Sequence, residues 1–145
     1  MARLFTLSEA ERLLPAVERE LRRAIEMKSR YQNSQQRFAE ELRTLSMLGG
    51  VIPDTKKIAA LRASGENALS ELKLAITSIE DQGVLVKDLD MGLIDFMSRY
   101  QGRDVCLCWK LGEDGIHFWH GAEEGFRGRK PIDDEFLANH SGDGG

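Results

Sequence analysis

The chain has 145 residues, the usual size of one domain and long enough to bury a core without disulfide or metal staples. Charged side chains make up 30% of it, and the formal net charge of -4 with a pI near 5.4 excludes a polyanion-binding surface covering the whole molecule. The only cysteines, Cys106 and Cys108, cannot build a disulfide framework, and no apolar run reaches the roughly 20 residues needed to span a bilayer.

The start at Met1 runs directly into an amphipathic segment with no apolar h-region, so the expectation is a cytoplasmic protein with neither a membrane nor a nucleic-acid partner. Thr6-Leu7-Ser8-Glu9 reads as a capping box, with the threonine oxygen meeting an orphan backbone N–H while Glu9 reaches back. Pro15 lies too deep to begin that helix, which predicts a short first turn or two and then a kink or restart near Pro15. From there Leu14, Val17, Leu21, Ala24, Lys28, Tyr31, Gln35, Phe38, Leu42 and Leu45 step by three and four as a helical seam. Gly49-Gly50 stops it, Val51-Ile52-Pro53 connects, and Asp54 is the N-cap of a second helix whose stripe is Ile58, Leu61, Gly65, Ala68, Leu72, Ala75 and Ile79. Gly83 closes that helix as a left-handed cap. The short link makes the two helices antiparallel, and a first arm of roughly 50 Å at 1.5 Å per residue exceeds the width of a compact domain of this size.

After Gly83 the period changes. Val84–Lys87, Leu93–Phe96, Val105–Leu111 and Ile116–His120 read as four short strands, the last two joined by a tight hairpin at Gly112-Glu113-Asp114-Gly115. Alternation puts Val105, Leu107, Trp109 and Leu111 on one face of the third strand, assigned to the core, and Cys106, Cys108 and Lys110 on the other. The fold class is therefore α+β, a long antiparallel helical hairpin kinked near Pro15 and then a small antiparallel sheet of about four strands. Residues 1–138 form a single domain, with the hairpin over 1–83 and the β module over 84–138, and residues 139–145 form a disordered tail. Acidity concentrates in the module, where residues 84–145 hold twelve acidic and seven basic side chains against seven and eight in residues 4–53.

Cys106 and Cys108 with His117 and His120 invite a zinc site, but the spacing resists it. His117 and His120 have opposite strand parity, and structural zinc sites favour C-x₂-C and four ligands, so no metal and no cofactor are expected. A second group is carboxylate-rich: Asp88, Asp95 and Glu113 with His120. Turn chemistry accounts for Asp88 and Glu113 equally well, and a satisfied core histidine for His120. If a catalytic site exists, imidazole and carboxylate are the pair most able to exchange a proton near neutral pH, so it contains His120 and at least one of those three acids. Arg103, Arg129 and Trp119 are candidates for ligand binding. Gly125-Phe126-Arg127-Gly128-Arg129 could form an anion nest, although it lacks the phosphate-loop pattern and Arg129 could equally pair with a carboxylate of the module. No Ser/His/Asp signature, nucleophile elbow, H-E-x-x-H or dinucleotide fingerprint is present.

Residues spread over nearly the whole chain carry a resemblance to a known pattern. The resemblance rests on Phe5-Thr6-Leu7, Glu9-Ala10 and Leu13-Leu14-Pro15 at the front. At the back it rests on Val86-Lys87-Asp88, Gly92-Leu93-Ile94-Asp95-Phe96, Gly102-Arg103, Leu107-Cys108-Trp109, Gly112-Glu113, Ile116, Trp119-His120, Gly125-Phe126, Arg129 and Pro131-Ile132, and with these residues the chain resembles an uncharacterised bacterial family, domain of unknown function 2203. A proline often follows the Asp-Phe pair in that pattern. Met97 stands there, which implies a strand running on by a residue or two, and Cys106 is outside the pattern, which weighs against a zinc site requiring both thiols. The family carries no established activity or cofactor, so the resemblance supplies no mechanism. The leading expectation is a non-enzymatic protein-interaction module that self-associates through its helices, as a homodimer or with another protein. The alternative is a small-molecule or metal-dependent enzyme with a polar site in the β module.

Overall fold

A computed structural model describes residues 3–49 and 55–144. Three helices, α1 (Leu7–Leu48), α2 (Thr55–Asp81) and α3 (Asp134–Asn139), accompany six strands: β1 (Val84–Asp88), β2 (Leu93–Tyr100), β3 (Arg103–Lys110), β4 (Phe118–Gly121), β5 (Lys130–Pro131) and β6 (His140–Ser141). The α+β class and the helical hairpin stand as expected. Gly83 takes the left-handed φ of +88° after α2, and Gly49 takes +41° after α1. The expected stop at Gly50, the connector Val51-Ile52-Pro53 and the N-cap Asp54 lie outside the described residues. None of the helices described is long and apolar enough to cross a membrane.

The chain groups into two compact units, and the division does not fall at residue 83: residues 1–21 and 76–145 form one, residues 22–75 the other. The first turns of α1 and the end of α2 thus belong with the sheet.

In the first unit the capping box forms reciprocally. The Glu9 amide donates to Thr6 Oγ1 at 3.2 Å, and the Thr6 amide donates to Glu9 Oε1 at 3.0 Å. Phe5 and Ala10, on either side of the cap, are fully buried. The helix then continues through Pro15 without restarting, although Pro15 has no N–H to offer the Glu11 carbonyl. Burial of Leu14, Val17 and Leu21 on one face outweighs that lost bond. Replacing Thr6 by alanine should cost about 1 kcal/mol of stability, read by denaturant unfolding. The Thr6 backbone and side-chain hydrogen bonds hold the Glu9 carboxyl below the ordinary glutamate range. Its contribution is therefore complete above that range and fades as pH falls through the depressed value. Glu9→Gln should flatten that part of an acid titration.

The sheet is a meander, β1-β2-β3-β4-β5, antiparallel throughout. Gln101 (φ +54°) and Gly102 (φ +74°) form the two-residue turn between β2 and β3, the primed geometry that suits twisted hairpins. β2 runs four residues past Phe96, further than the resemblance implied. The turn after β3 is not the tight hairpin expected, since β3 ends at Lys110 and β4 begins only at Phe118. Glu113 pins this longer loop: its carboxylate accepts the Lys110 amide at 2.6 Å, and its carbonyl accepts Trp109 Nε1–H at 3.2 Å. Ile116, expected in a strand, is instead a buried loop residue.

Beyond the four expected strands, β5 adds to the module, and β6 with the end of α3 stands where disorder was expected at the C-terminus. β6 pairs with the end of β2, Arg99 opposite Ser141 and Tyr100 opposite His140. The free edge of β2 is thus filled in turn by β1, by the Phe5 amide bonded to the Met97 carbonyl at 2.7 Å, and by β6. Asp133 caps α3 by accepting the Phe136 amide, and Phe136 stacks between Trp119 at 4.9 Å and His140 at 5.0 Å. His140 Nε2 accepts the Leu7 amide at 2.9 Å while Nδ1 lies 3.0 Å from the Phe136 carbonyl, which fixes the Nδ1–H tautomer.

In the second unit the antiparallel pairing of α1 with α2 is marked by Arg23 with Glu71 and by Lys57 Nζ with Glu41 at 2.6 Å. Ala24, Ser34, Ala68 and Ala75 are buried along the seam. A Cβ on Gly65 would lie 3.4 Å from Ser34 Cβ, so the helices approach closely there.

Candidate functional site

Strand alternation carries Asp95 and Met97 on β2, Cys106 and Cys108 on β3, and Phe118 and His120 on β4 to one face of the sheet. The register completes the assembly, with Asp95 opposite Cys108 and Cys106 opposite both Met97 and His120. The Trp109 face is core, as expected. The opposite face is buried as well: Asp95 is 1% exposed, Cys106 2%, Cys108 0% and His120 3%. Alternation alone does not foresee a central strand covered on both sides.

His120 Nδ1 lies 2.8 Å from the Gly121 carbonyl, an acceptor only, so Nδ1 carries the proton and Nε2 is turned to Asp95. Nε2 straddles the carboxylate, 3.3 Å from Oδ1 and 3.2 Å from Oδ2. Cys106 Sγ joins them, each of the three side chains offering one atom within 4.8 Å of the other two. Met97 Sδ lies 3.5 Å from Cys106 Sγ. Burial, and after it the Asp95 charge, pushes both thiols up to about 12, so Cys106 and Cys108 are neutral at physiological pH.

Of the three candidate acids, Asp95 alone reaches His120. Asp88 caps the β1–β2 turn by accepting the Met91 amide at 3.0 Å, the turn role weighed for it. Glu113 is bound by Arg129, whose Nη2 sits 2.7 and 2.8 Å from its two oxygens. The Arg129 guanidinium lies between two rings, 4.1 Å from the centroid of Phe118 and 4.7 Å from that of Phe126. Both groups close the β3–β4 loop, while Arg129 Nε is buried without a hydrogen-bond partner. His117 lies outside β4, exposed and paired with Asp114 at 2.7 Å.

Arg103 and Trp119 line an open cleft of about 700 Å³ together with Tyr100, Asp104, Glu124 and Lys130. Lys130 Nζ lies 4.8 Å from the Trp119 ring and 2.7 Å from Glu124, so charges of both signs meet in the cleft. Trp119 and His120 are consecutive on β4, which puts the cleft and the Asp95–His120 group on opposite faces. Cys106 was weighed for a zinc site with Cys108, His117 and His120 and set aside on spacing, whereas no sequence signal pointed to Met97. Only the register shows that Cys106 faces His120.

Over residues 3–132 the chain matches the family described as "Uncharacterized conserved protein (DUF2203)", and it belongs to that family. No curated protein and no solved structure matches it. Asp95, Cys106 and His120 lie inside the matched region, whereas α3 and β6 lie beyond it.

Proposed function

We propose that this DUF2203 member is a non-enzymatic interaction module that self-associates through the helical hairpin of residues 22–75, in the manner of a coiled coil. One observation carries the reading. Within residues 22–75 the buried side chains are mostly small, with Met27 the larger exception, while other large apolar ones are left exposed: Leu42 is 47% exposed and Leu74 62%. Tyr31, Phe38, Leu61 and Leu69 line an open groove of about 350 Å³. A single neighbouring helix covers too little of such a stripe, and among the described residues of this unit no third element covers the rest. A second copy offers the same stripe, and a two-fold pairing of identical surfaces is the commonest closed arrangement. Lys28 and Gln35 along the seam suit the register-setting role of polar positions in coiled coils. Two buried free thiols fit a cytoplasmic setting.

Sedimentation of the full chain tests the proposal. The wild type is expected as a dimer at micromolar concentration, and Leu42→Glu should move it toward monomer without lowering its helical circular dichroism. A wild type that remains monomeric at high micromolar concentration overturns the reading. A second reading, a small-molecule or metal-dependent enzyme acting through the β module, has in its favour the approach of His120 to Asp95.

A further inference from the structure

We propose that Asp95, Cys106 and His120 form a binding site for one divalent transition-metal ion, of which zinc is the best fit. The site stands on β2, β3 and β4 and does not depend on whether the hairpin associates. A carboxylate, an imidazole and a thiol, all buried, present one donor atom each within 4.8 Å of one another. That mixture of borderline and soft donors suits zinc better than calcium or magnesium, which require oxygen ligands. Two donors held about 2.0–2.1 Å from a tetrahedral ion lie about 3.3 Å apart. The separation of His120 Nε2 from Asp95 Oδ2, 3.2 Å, is already that edge. Cys106 Sγ completes the set by a small side-chain adjustment.

The imidazole is turned the way a metal ligand requires. A ligating histidine ordinarily donates its other ring N–H to a carbonyl or carboxylate, which fixes the tautomer that presents a lone pair to the ion. His120 Nδ1 makes that bond to the Gly121 carbonyl at 2.8 Å. The electrostatics agree. The buried Asp95 carboxylate, 3.2 Å from His120 Nε2, supplies a negative charge for a dication. On metal binding the Cys106 S–H bond breaks and sulfur binds the ion, any proton on His120 Nε2 leaves as its lone pair binds, and the released protons go to solvent. Three protein donors leave a fourth tetrahedral position, for which the Cys108 thiol, on the same face of β3, or a water is at hand.

The test uses the full chain, freed of metal by a chelator and then titrated with Co²⁺ and Zn²⁺. One equivalent of Co²⁺ is expected to give a thiolate-to-cobalt charge-transfer band in the near ultraviolet and the intense visible bands of a tetrahedral ion. Cys106→Ser should abolish the charge-transfer band, and His120→Ala should weaken zinc binding by at least about tenfold, measured by competition with a chromogenic chelator. His117→Ala, which alters only an exposed histidine, should change neither. Cadmium NMR of the wild type gives a readout that needs no variant to fold, because the chemical shift reports whether sulfur is bound. Absence of stoichiometric binding, a cadmium shift without sulfur, or a charge-transfer band that survives in Cys106→Ser overturns the proposal. Binding that disappears in His117→Ala does the same, by moving the ion to the surface.

Discussion

Asp95→Ala is expected to lower the unfolding free energy of the metal-free protein by about 3–5 kcal/mol, the range for removing one partner of a buried pair. The side chains of Asp95 and His120 are 2% and 4% exposed, so water does not replace the lost carboxylate. His120 Nδ1 stays bound to the Gly121 carbonyl, and the ring therefore keeps Nε2 pointed into the space vacated. Asp95→Asn retains one acceptor oxygen in nearly the same volume and should cost about half as much. The double variant Asp95→Ala/His120→Ala should cost less than the two single losses added together, because the orphaned partner goes as well. Urea unfolding in the presence of a chelator measures the wild type, the three single variants and the double variant. A loss below about 1 kcal/mol for Asp95→Ala would place the pair among ordinary solvated surface bridges.

Phe136→Ala should cost a comparable amount, about 3–5 kcal/mol, through a different cause. Phe136 is 1% exposed and fills the space between Tyr100, at 4.7 Å, Trp119, at 4.9 Å, and His140, at 5.0 Å. Truncation opens a cavity and removes three ring contacts at once. The consequence reaches the start of α1, since α3 and β6 carry the groups that hold it. His140 caps the Leu7 amide, the Asp143 amide donates to the Leu4 carbonyl at 3.0 Å, and Asp143 Oδ2 accepts the Leu4 amide at 2.9 Å. Hydrogen exchange should accordingly quicken at Leu4 and Leu7 in the variant. Gly142→Ala is expected to produce the same exchange pattern, because the added Cβ would sit 2.7 Å from the Thr6 nitrogen and 2.9 Å from the Leu4 oxygen. Unchanged protection at Leu4 and Leu7 in both variants would show that the tail does not brace the helix start.

Local signals settled much of the architecture. The Thr6–Glu9 capping box, the three-four stepping of the hairpin, the left-handed glycine after α2 and the change to period two after Gly83 all depend on residues close in sequence. Each of these reports its own conformation. The resemblance to the family also rested on residues now inside the matched span of 3–132. Where proline and burial competed, at Pro15, the local rule lost. An apolar face packed over several turns outweighs one missing hydrogen bond, and the helix runs on.

The rest depended on partners distant in sequence. β6 exists because β2 offers an unfilled edge and Phe136 a docking point, so a polar, glycine-containing segment that reads as disordered in isolation is held in place. The apparent hairpin turn at 112–115 is longer than its glycines suggest because Arg129, sixteen residues on from Glu113, binds it. The candidate site follows the same logic. Sequence alone could name His120 and require an acid beside it, since imidazole and carboxylate are recognisable by type. It could not choose Asp95 over Asp88 and Glu113, nor add Cys106, because that choice is made by the antiparallel register of three strands. A shift of one residue in that register would turn every one of these groups to the other face, and no local propensity encodes it.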